Sequence, residues 1–273
     1  MSQPPVLRRS APKPPPPGPV RPPLPEPDRL CGLAAVAGAF AHRPDSILRL
    51  FYLEARRAEA GGFCARLARE KKPYREVPAD ELAKIAGTAH HGGIVAIATP
   101  RRVSLLPDPL PEILPEPMFR AGLLPVLDGI GNPHNLGAIA RSAAFFGCGG
   151  LMLSGDPRQA GLSDAAYRTS EGGLEALGLV RTPDLPAALA RLAPHCLTVA
   201  AVARGGLAPA GIRAALPAGR PVALVLGNEE QGLPGATVAA CAARVTLPGS
   251  GAVESLNVSV AAAVLIHALT GRG

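Results

Sequence analysis

Apolar positions run in two rhythms along this chain. Between residues 30 and 103, "GLAAVAGAFAH" and "ADELAKIAG" carry them at the three-to-four spacing of amphipathic helices. "GGFCARLAREKK" repeats that spacing with a basic outer face, while "ILRLFYLE" and "GGIVAIAT" read as strands, the second buried. The alternation predicts a small α/β unit. Beyond residue 120 the strands are purer: "LLPVLDGI", "GLMLSG", "LTVAAVA", "VALVLG" and "ARVTLP". Helical patterns at 135–146, 163–177, 185–194 and 256–269 separate them. Val/Leu-rich strands divided by helices predict a parallel sheet covered on both faces. In such a sheet a ligand sits in the loops at the carboxyl ends of the strands.

Two stretches carry neither rhythm. Residues 1–29 contain twelve prolines and read as an extended, polyproline-like tail. Residues 104–119, "SLLPDPLPEILPEPMF", contain five prolines and read as a linker. The expected organisation is therefore a tail (1–29), a first α/β domain (30–103), a linker (104–119) and a larger α/β domain (120–273).

Composition narrows the class. With 47% hydrophobic residues the chain is not wholly disordered, and with 3% aromatics and no Trp its core is built from Ala, Val, Leu and Ile. "LNVSVAAAVLIHAL" at 256–269 is too short and too polar at its start to span a bilayer. The proline-rich N-terminus is unlike a signal peptide. A soluble, cytoplasmic protein is expected. The five cysteines, Cys31, Cys64, Cys148, Cys196 and Cys241, form no CxxC and are expected to be reduced thiols. His90 and His91 are adjacent, a poor spacing for two ligands of one metal, so no metal site is expected.

The net charge of +7 is unevenly spread. Residues 30–103 hold twelve basic and seven acidic residues, against eleven and nine in 120–273. Arg56, Arg57, Arg66, Arg69, Lys71, Lys72 and Arg75 gather around the second helix of the first domain. That surface reads either as phosphate-contacting or as a solvated helix face. An anionic polymer such as nucleic acid is the natural partner of such a domain.

The usual nucleotide fingerprints, GxGxxG after the first strand and GxxxxGK[ST], are absent. Three other loops stand out after predicted strands: "DGIGNPHNLGAIARSAAFFG", "LVLGNEEQGLP" and "LPGSGAVESLNVSVAAAV". Glycine lets backbone approach a ligand, and asparagine offers both donors and acceptors. In this order near the end of the chain they resemble the signature motifs of the SpoU/TrmH family, RNA 2′-O-ribose methyltransferases of the SPOUT superfamily. The similarity covers residues 123–270 nearly continuously. The first domain, ending "TAHHGGIVAIA", more loosely resembles the substrate-binding domain that often precedes it; the family more often has Gln where His91 stands. Asn132 stands where many members carry Asp, and Glu230 where a glycine or another residue is frequent.

The resemblance implies a parallel sheet with a deep trefoil knot, S-adenosylmethionine held in the knotted loops, RNA as substrate, and an active site at a homodimer interface. It places cofactor contacts on Gly227, Leu247, Ser255, Leu256 and Asn257. It places functional roles on Asn135, Arg141 and Glu229. The residues themselves read consistently with that. Asn135 is a good N-cap for the following helix. Leu136, Ile139, Ala140, Ala143 and Gly147 share a face, and Arg141 lies well off it. A guanidinium is effectively always protonated, so Arg141 suits a phosphate grip and oxyanion stabilisation better than proton removal. Glu229 suits either proton traffic or loop orientation. Two other classes stay open: an RNA-binding protein of this fold without catalysis, and an α/β enzyme using another cofactor.

Overall fold

The computed structural model describes residues 26–111 and 116–270. Most of the expected tail therefore lies outside the described residues, but its last four residues do not. Asp28 and Arg29 open β1 (Asp28–Cys31), which is followed by α1 (Leu33–His42), β2 (Ile47–Tyr52), α2 (Arg57–Arg69), β3 (Tyr74–Glu76), α3 (Ala79–Ala86) and β4 (Ile94–Ala98). The sheet order is β1-β4-β2-β3, with β4 antiparallel to both neighbours and β2 parallel to β3. Leu30, Ile47, Leu50, Ile94 and Ala96 are fully buried, the inward half of the apolar strands.

The stretch expected as a linker starts inside the second sheet, as β5 (Ser104–Leu105) pairs in parallel with β8 (Gly178–Thr182). Before β8 come β6 (Leu123–Asp128), α4 (Pro133–Phe145), β7 (Gly150–Ser154), α5 (Asp164–Ser170) and α6 (Gly173–Ala176). After it follow α7 (Leu185–Leu192), β9 (Leu197–Ala201), α8 (Pro209–Ala215), β10 (Val222–Gly227), α9 (Gly235–Ala240), β11 (Ala243–Val245) and α10 (Val258–Thr270). Seven parallel strands run in the order β11-β9-β10-β6-β7-β8-β5.

Both faces of this sheet are covered, as the uninterrupted apolar strands require. Leu123 and Leu127 of β6 and Leu224 and Leu226 of β10 join Leu136, Ile139 and Ala143 of α4 and Ile266 of α10. The alternate residues Leu124, Val126, Ala223 and Val225 face Leu185, Leu189 and Leu192 of α7. Each such leucine contributes about 1.5–3 kcal/mol on burial.

The helix expected over 163–177 is two helices. Glu171 (φ 45°) and Gly172 (φ 85°) take left-handed backbone and turn the chain between α5 and α6. That turn seats the first domain. Val36 and Ala39 of α1 share one core with Tyr167 of α5 and Leu174 of α6. Among the described residues no helix is long and apolar enough to cross a membrane.

Candidate active site

The carboxyl end of β6 leads into α4, and its cap corrects one expectation. Asn132, not Asn135, caps the helix: its Oδ1 accepts from the backbone N–H of His134 at 2.8 Å, and Pro133 takes the first helical position. Asn135 lies inside the first turn and is buried.

Freed from capping, the Asn135 amide joins the other two loops. Its Nδ2 donates to Glu229 Oε1, and its Oδ1 accepts from Asn257 Nδ2 at 3.2 Å. Asn257 Oδ1 in turn accepts from the Ser259 N–H at 2.9 Å and the Ser259 hydroxyl at 2.6 Å, capping α10. One buried side chain therefore holds together the loops after β6, β10 and β11.

The loop after β10 is shaped by Asn228, which the sequence reading did not single out. Its Oδ1 accepts from the N–H groups of Glu230 (2.9 Å) and Gln231 (3.2 Å), and its Nδ2 donates to the Gly129 carbonyl at 2.9 Å. An Asn followed by a tight, Gly-closed turn is the signal that could have found it. The chain folds back so closely that a Cβ on Gly227 would lie 2.5 Å from the Gly232 carbonyl carbon. Gly227 is thus required by the loop's own return.

The loop after β11 is tied at its root and open beyond. Thr246 N–H donates to the Leu207 carbonyl at 2.9 Å, and Thr246 Oγ1 donates to the Val202 carbonyl at 3.0 Å. Leu247 is half-buried against the core. From Leu247 to Gly251 the backbone makes no hydrogen bond to another backbone group among the described residues. Ser255, Leu256 and Asn257 are exposed at the far end.

Arg141 is not part of this node. Six residues after Asn135, it points roughly 120° around the helix. Its Nη2 pairs with Glu171 Oε2 at 2.9 Å, and both side chains are more than half exposed.

Other polar groups buttress the site. Asp128, buried at the end of β6, accepts from the Thr237 hydroxyl at 2.8 Å. Arg158 binds Gln231 and both carboxylate oxygens of Asp156, and these bonds hold the Asp156 carboxyl down at about 2. Among the described residues no group of His, Cys, Asp and Glu could hold a metal ion. The basic cluster of the first domain is largely spent on internal pairs: Arg56–Glu59, Arg57–Glu76, Arg66–Glu70, Lys72–Glu70 and Arg75–Glu81.

Fold and site define a parallel α/β protein whose three loops meet at the carboxyl edge of the sheet, carrying an accessory α/β domain at its N-terminal side. The chain belongs to the SpoU rRNA Methylase family, whose profile matches residues 122–267. A second profile, RNA 2′-O ribose methyltransferase substrate binding, matches residues 29–104. The chain is 34% identical over 240 residues to the 23S rRNA (guanosine-2′-O-)-methyltransferase RlmB of Nitrosomonas europaea, covering 87% of this chain and 88% of that protein. It is 31% identical to the uncharacterized tRNA/rRNA methyltransferase YfiF of Escherichia coli O157:H7, covering 88% and 67%. The SpoU methyltransferase AviRb of Streptomyces viridochromogenes, crystallised with AdoMet, superposes with a TM-score of 0.67 at 25% identity over 90% of this chain and 89% of that one.

Proposed function

We propose that this protein transfers a methyl group from S-adenosylmethionine to a ribose 2′-hydroxyl of structured RNA, with 23S ribosomal RNA the first substrate to test. The observation that carries this reading is the Asn135 node. Three loops distant in sequence meet at the carboxyl edge of the parallel sheet, where such folds bind ligands. The names of the RlmB relatives supply the reaction class.

The loops suit the cofactor. A zwitterionic nucleoside sulfonium is recognised by backbone groups and apolar contacts rather than by a strong counter-charge. The backbone from Leu247 to Gly251 offers such groups, Leu247 and Leu256 offer apolar contacts, and Gly227 opens the neighbouring loop. The bound cofactor supplies an electrophilic methyl group. Asn135, in contact with Glu229 and Asn257, fixes the loops around it. Glu229 is exposed on the open side of the node and can accept the hydroxyl proton directly or through water. A guanidinium makes a poor general base and a strong anion ligand, so the part of Arg141 is to grip RNA phosphate and stabilise the developing alkoxide.

The position of Arg141 outside the node supports a homodimeric site. Phe145, one turn further on, is 81% exposed, and Leu256, Val260 and Val264 form an exposed apolar row at four-residue spacing on and before α10. A second copy of the chain is the occupant this face suits, with Arg141 on its border. The strand order supports the trefoil knot that the family implies: β10 lies between β9 and β6, and α10 returns from β11 to pack on α4.

The test is methyl transfer from labelled cofactor to a 23S rRNA transcript, with the site mapped by resistance of the 2′-O-methylated linkage to alkali. Labelled, alkali-resistant linkages are expected. No incorporation into ribosomal or transfer RNA, or methyl on a base, rejects the reading. Val260→Glu should convert dimer to monomer in analytical ultracentrifugation; a wild-type monomer rejects the dimeric site.

A further inference from the structure

The first domain meets the second across a seam that contains a buried ionic cluster. Glu175 of α6, whose side chain is 1% exposed, accepts from Arg43 at both oxygens (Nε to Oε2 2.8 Å, Nη2 to Oε1 2.9 Å). Arg101, just after β4, donates to the same carboxylate at 2.7 Å and also to the Leu177 carbonyl. Arg43 reaches on to Asp28 Oδ2 at 2.9 Å and the Thr99 carbonyl at 2.7 Å. Asp28 Oδ2 also accepts from the Tyr167 hydroxyl at 2.8 Å and the Arg101 N–H at 2.9 Å. Burial, then the neighbouring Asp28 charge, push the Tyr167 phenol well above its usual range, so it remains a donor. Every charged member has a partner on the other side of the seam or bridges to one.

Beside the cluster the two domains touch backbone to backbone. A Cβ on Gly38 of α1 would lie 2.9 Å from Gly172 Cα, and one on Gly172 would lie 2.9 Å from the Ala34 carbonyl oxygen. Neither glycine leaves room for a side chain of its own, so the contact sets how closely α1 seats. Buried ion networks give weak net stability against an apolar seam of the same volume, but they fix register because a displaced charge loses its partners.

The same short segment reaches Arg141. Glu171 pairs with the Arg141 guanidinium at 2.9 Å, and Gly173 lies so close to α4 that its Cβ would be 2.8 Å from Arg141 Cα. Residues 171–175 therefore press on the Arg141 backbone and side chain at one end and bind the first domain at the other.

We propose that Glu175 is a positioning residue: with Arg43 and Arg101 it locks the RNA-binding domain to the methyltransferase domain as one body and so fixes Arg141 relative to RNA held by the first domain. This rests on the proposed function for its RNA and methyl-transfer readouts, but the lock itself is a matter of distance.

Spin labels on azide-bearing residues placed at the exposed positions Ala68 and Ala190, diluted with unlabelled full-length protein, report the interdomain distance. A single narrow distribution is expected for the wild type, broadening at least twofold in Glu175→Gln. A broad wild-type distribution, or an unbroadened variant, overturns the lock. If Glu175→Gln does not fold, Gly38→Ala, which wedges the seam without altering charge, must broaden the distribution instead. On structured RNA, Glu175→Gln should lose at least tenfold in kcat while cofactor affinity stays within twofold. A parallel fall in cofactor affinity, or a wild-type kcat, overturns the positioning role. A wild type inactive on all RNA rejects the proposed function and leaves the distance measurement to judge the lock.

Discussion

Asn135 offers the sharpest test of the site because the structure gives it a job that no surface or capping residue shares. Asn135→Ala removes one hydrogen bond to a carboxylate and one to an amide. A bond to a charged group contributes roughly 1.5–3 kcal/mol and a neutral one about 1 kcal/mol. Glu229 and Asn257 are exposed and regain water when released, so the net loss is about 1.5–3 kcal/mol. For a domain of this size each kcal/mol moves Tm by about 2–4 °C, giving a fall of roughly 3–12 °C. Cofactor affinity and single-turnover methylation should fall together, since the node joins two of the cofactor loops. Asn135→Asp, nearly isosteric, should be worse than Ala, because it sets a second carboxylate against Glu229. Like charges raise the pKa of one partner, so the extra penalty is present at neutral pH and fades as pH falls through that raised value. The control is Asn132: Asn132→Ala should cost about 1 kcal/mol from the lost cap, whereas Asn132→Asp should be neutral. Thermal melting, cofactor titration and single-turnover assays across pH 5–8 decide the matter. An Asn135→Asp protein as stable and active as wild type would show that the three loops are held by something else.

Three further outcomes follow from the same geometry. Arg141→Ala should change stability by less than about 0.5 kcal/mol, because its pair with Glu171 is exposed, yet slow methyl transfer by about 10²–10³; Arg141→Lys should restore little, and a wild-type rate in either variant would remove Arg141 from the reaction. Gly227→Ala should already weaken cofactor binding at least tenfold and lower the melting point, since the added carbon meets the Gly232–Leu233 backbone; unchanged binding would show that the loop opens freely. The Asp156 carboxyl should titrate near 2 by NMR, and Arg158→Gln should move it up toward the ordinary aspartate range. Because its folded value is depressed, the stability it contributes is present above the ordinary aspartate range and is lost as pH falls through about 2; an unshifted titration in the wild type would dissolve the Asp156–Arg158 pair.

The regular elements were legible because their periodicity was. α1, α3, β2, β4, β6, β7, β9, β10 and α10 fall where apolar spacing placed them. β1 and β8 were missed because "DRLC" and "GLVRT" are short and half polar, and gain their identity only from the strands beside them. The two-residue β5 carries no pattern at all. At the site, the loops were visible as clusters of Gly, Asn and carboxylate, but the division of labour within "NPHN" was not. Both asparagines can cap a helix, and only the fold shows that Asn132 does so while Asn135 meets Glu229 and Asn257. The basic cluster was read correctly as a concentration of charge. Its pairing depends on Glu59, Glu70, Glu76 and Glu81 lying beside it, which only tertiary structure arranges for Glu76 and Glu81.

That pairing changes what salt should do to this protein. Cations that neutralise RNA phosphate release condensed counterions, and each contributes a slope of about −0.7 to −0.9 to the logarithm of affinity against the logarithm of salt. A guanidinium already held by a carboxylate must first give up that partner, which then recruits a counterion of its own, so the net release is near zero. Of the seven cations around α2, only Arg69 and Lys71 make no ion pair among the described residues. That surface should therefore contribute a slope of about −1.4 to −1.8 rather than the roughly −5 to −6 suggested by counting charges. The chain's positive balance thus overstates its grip on RNA: much of it is a closed internal account between neighbouring side chains, which an approaching polyanion meets as neutral surface.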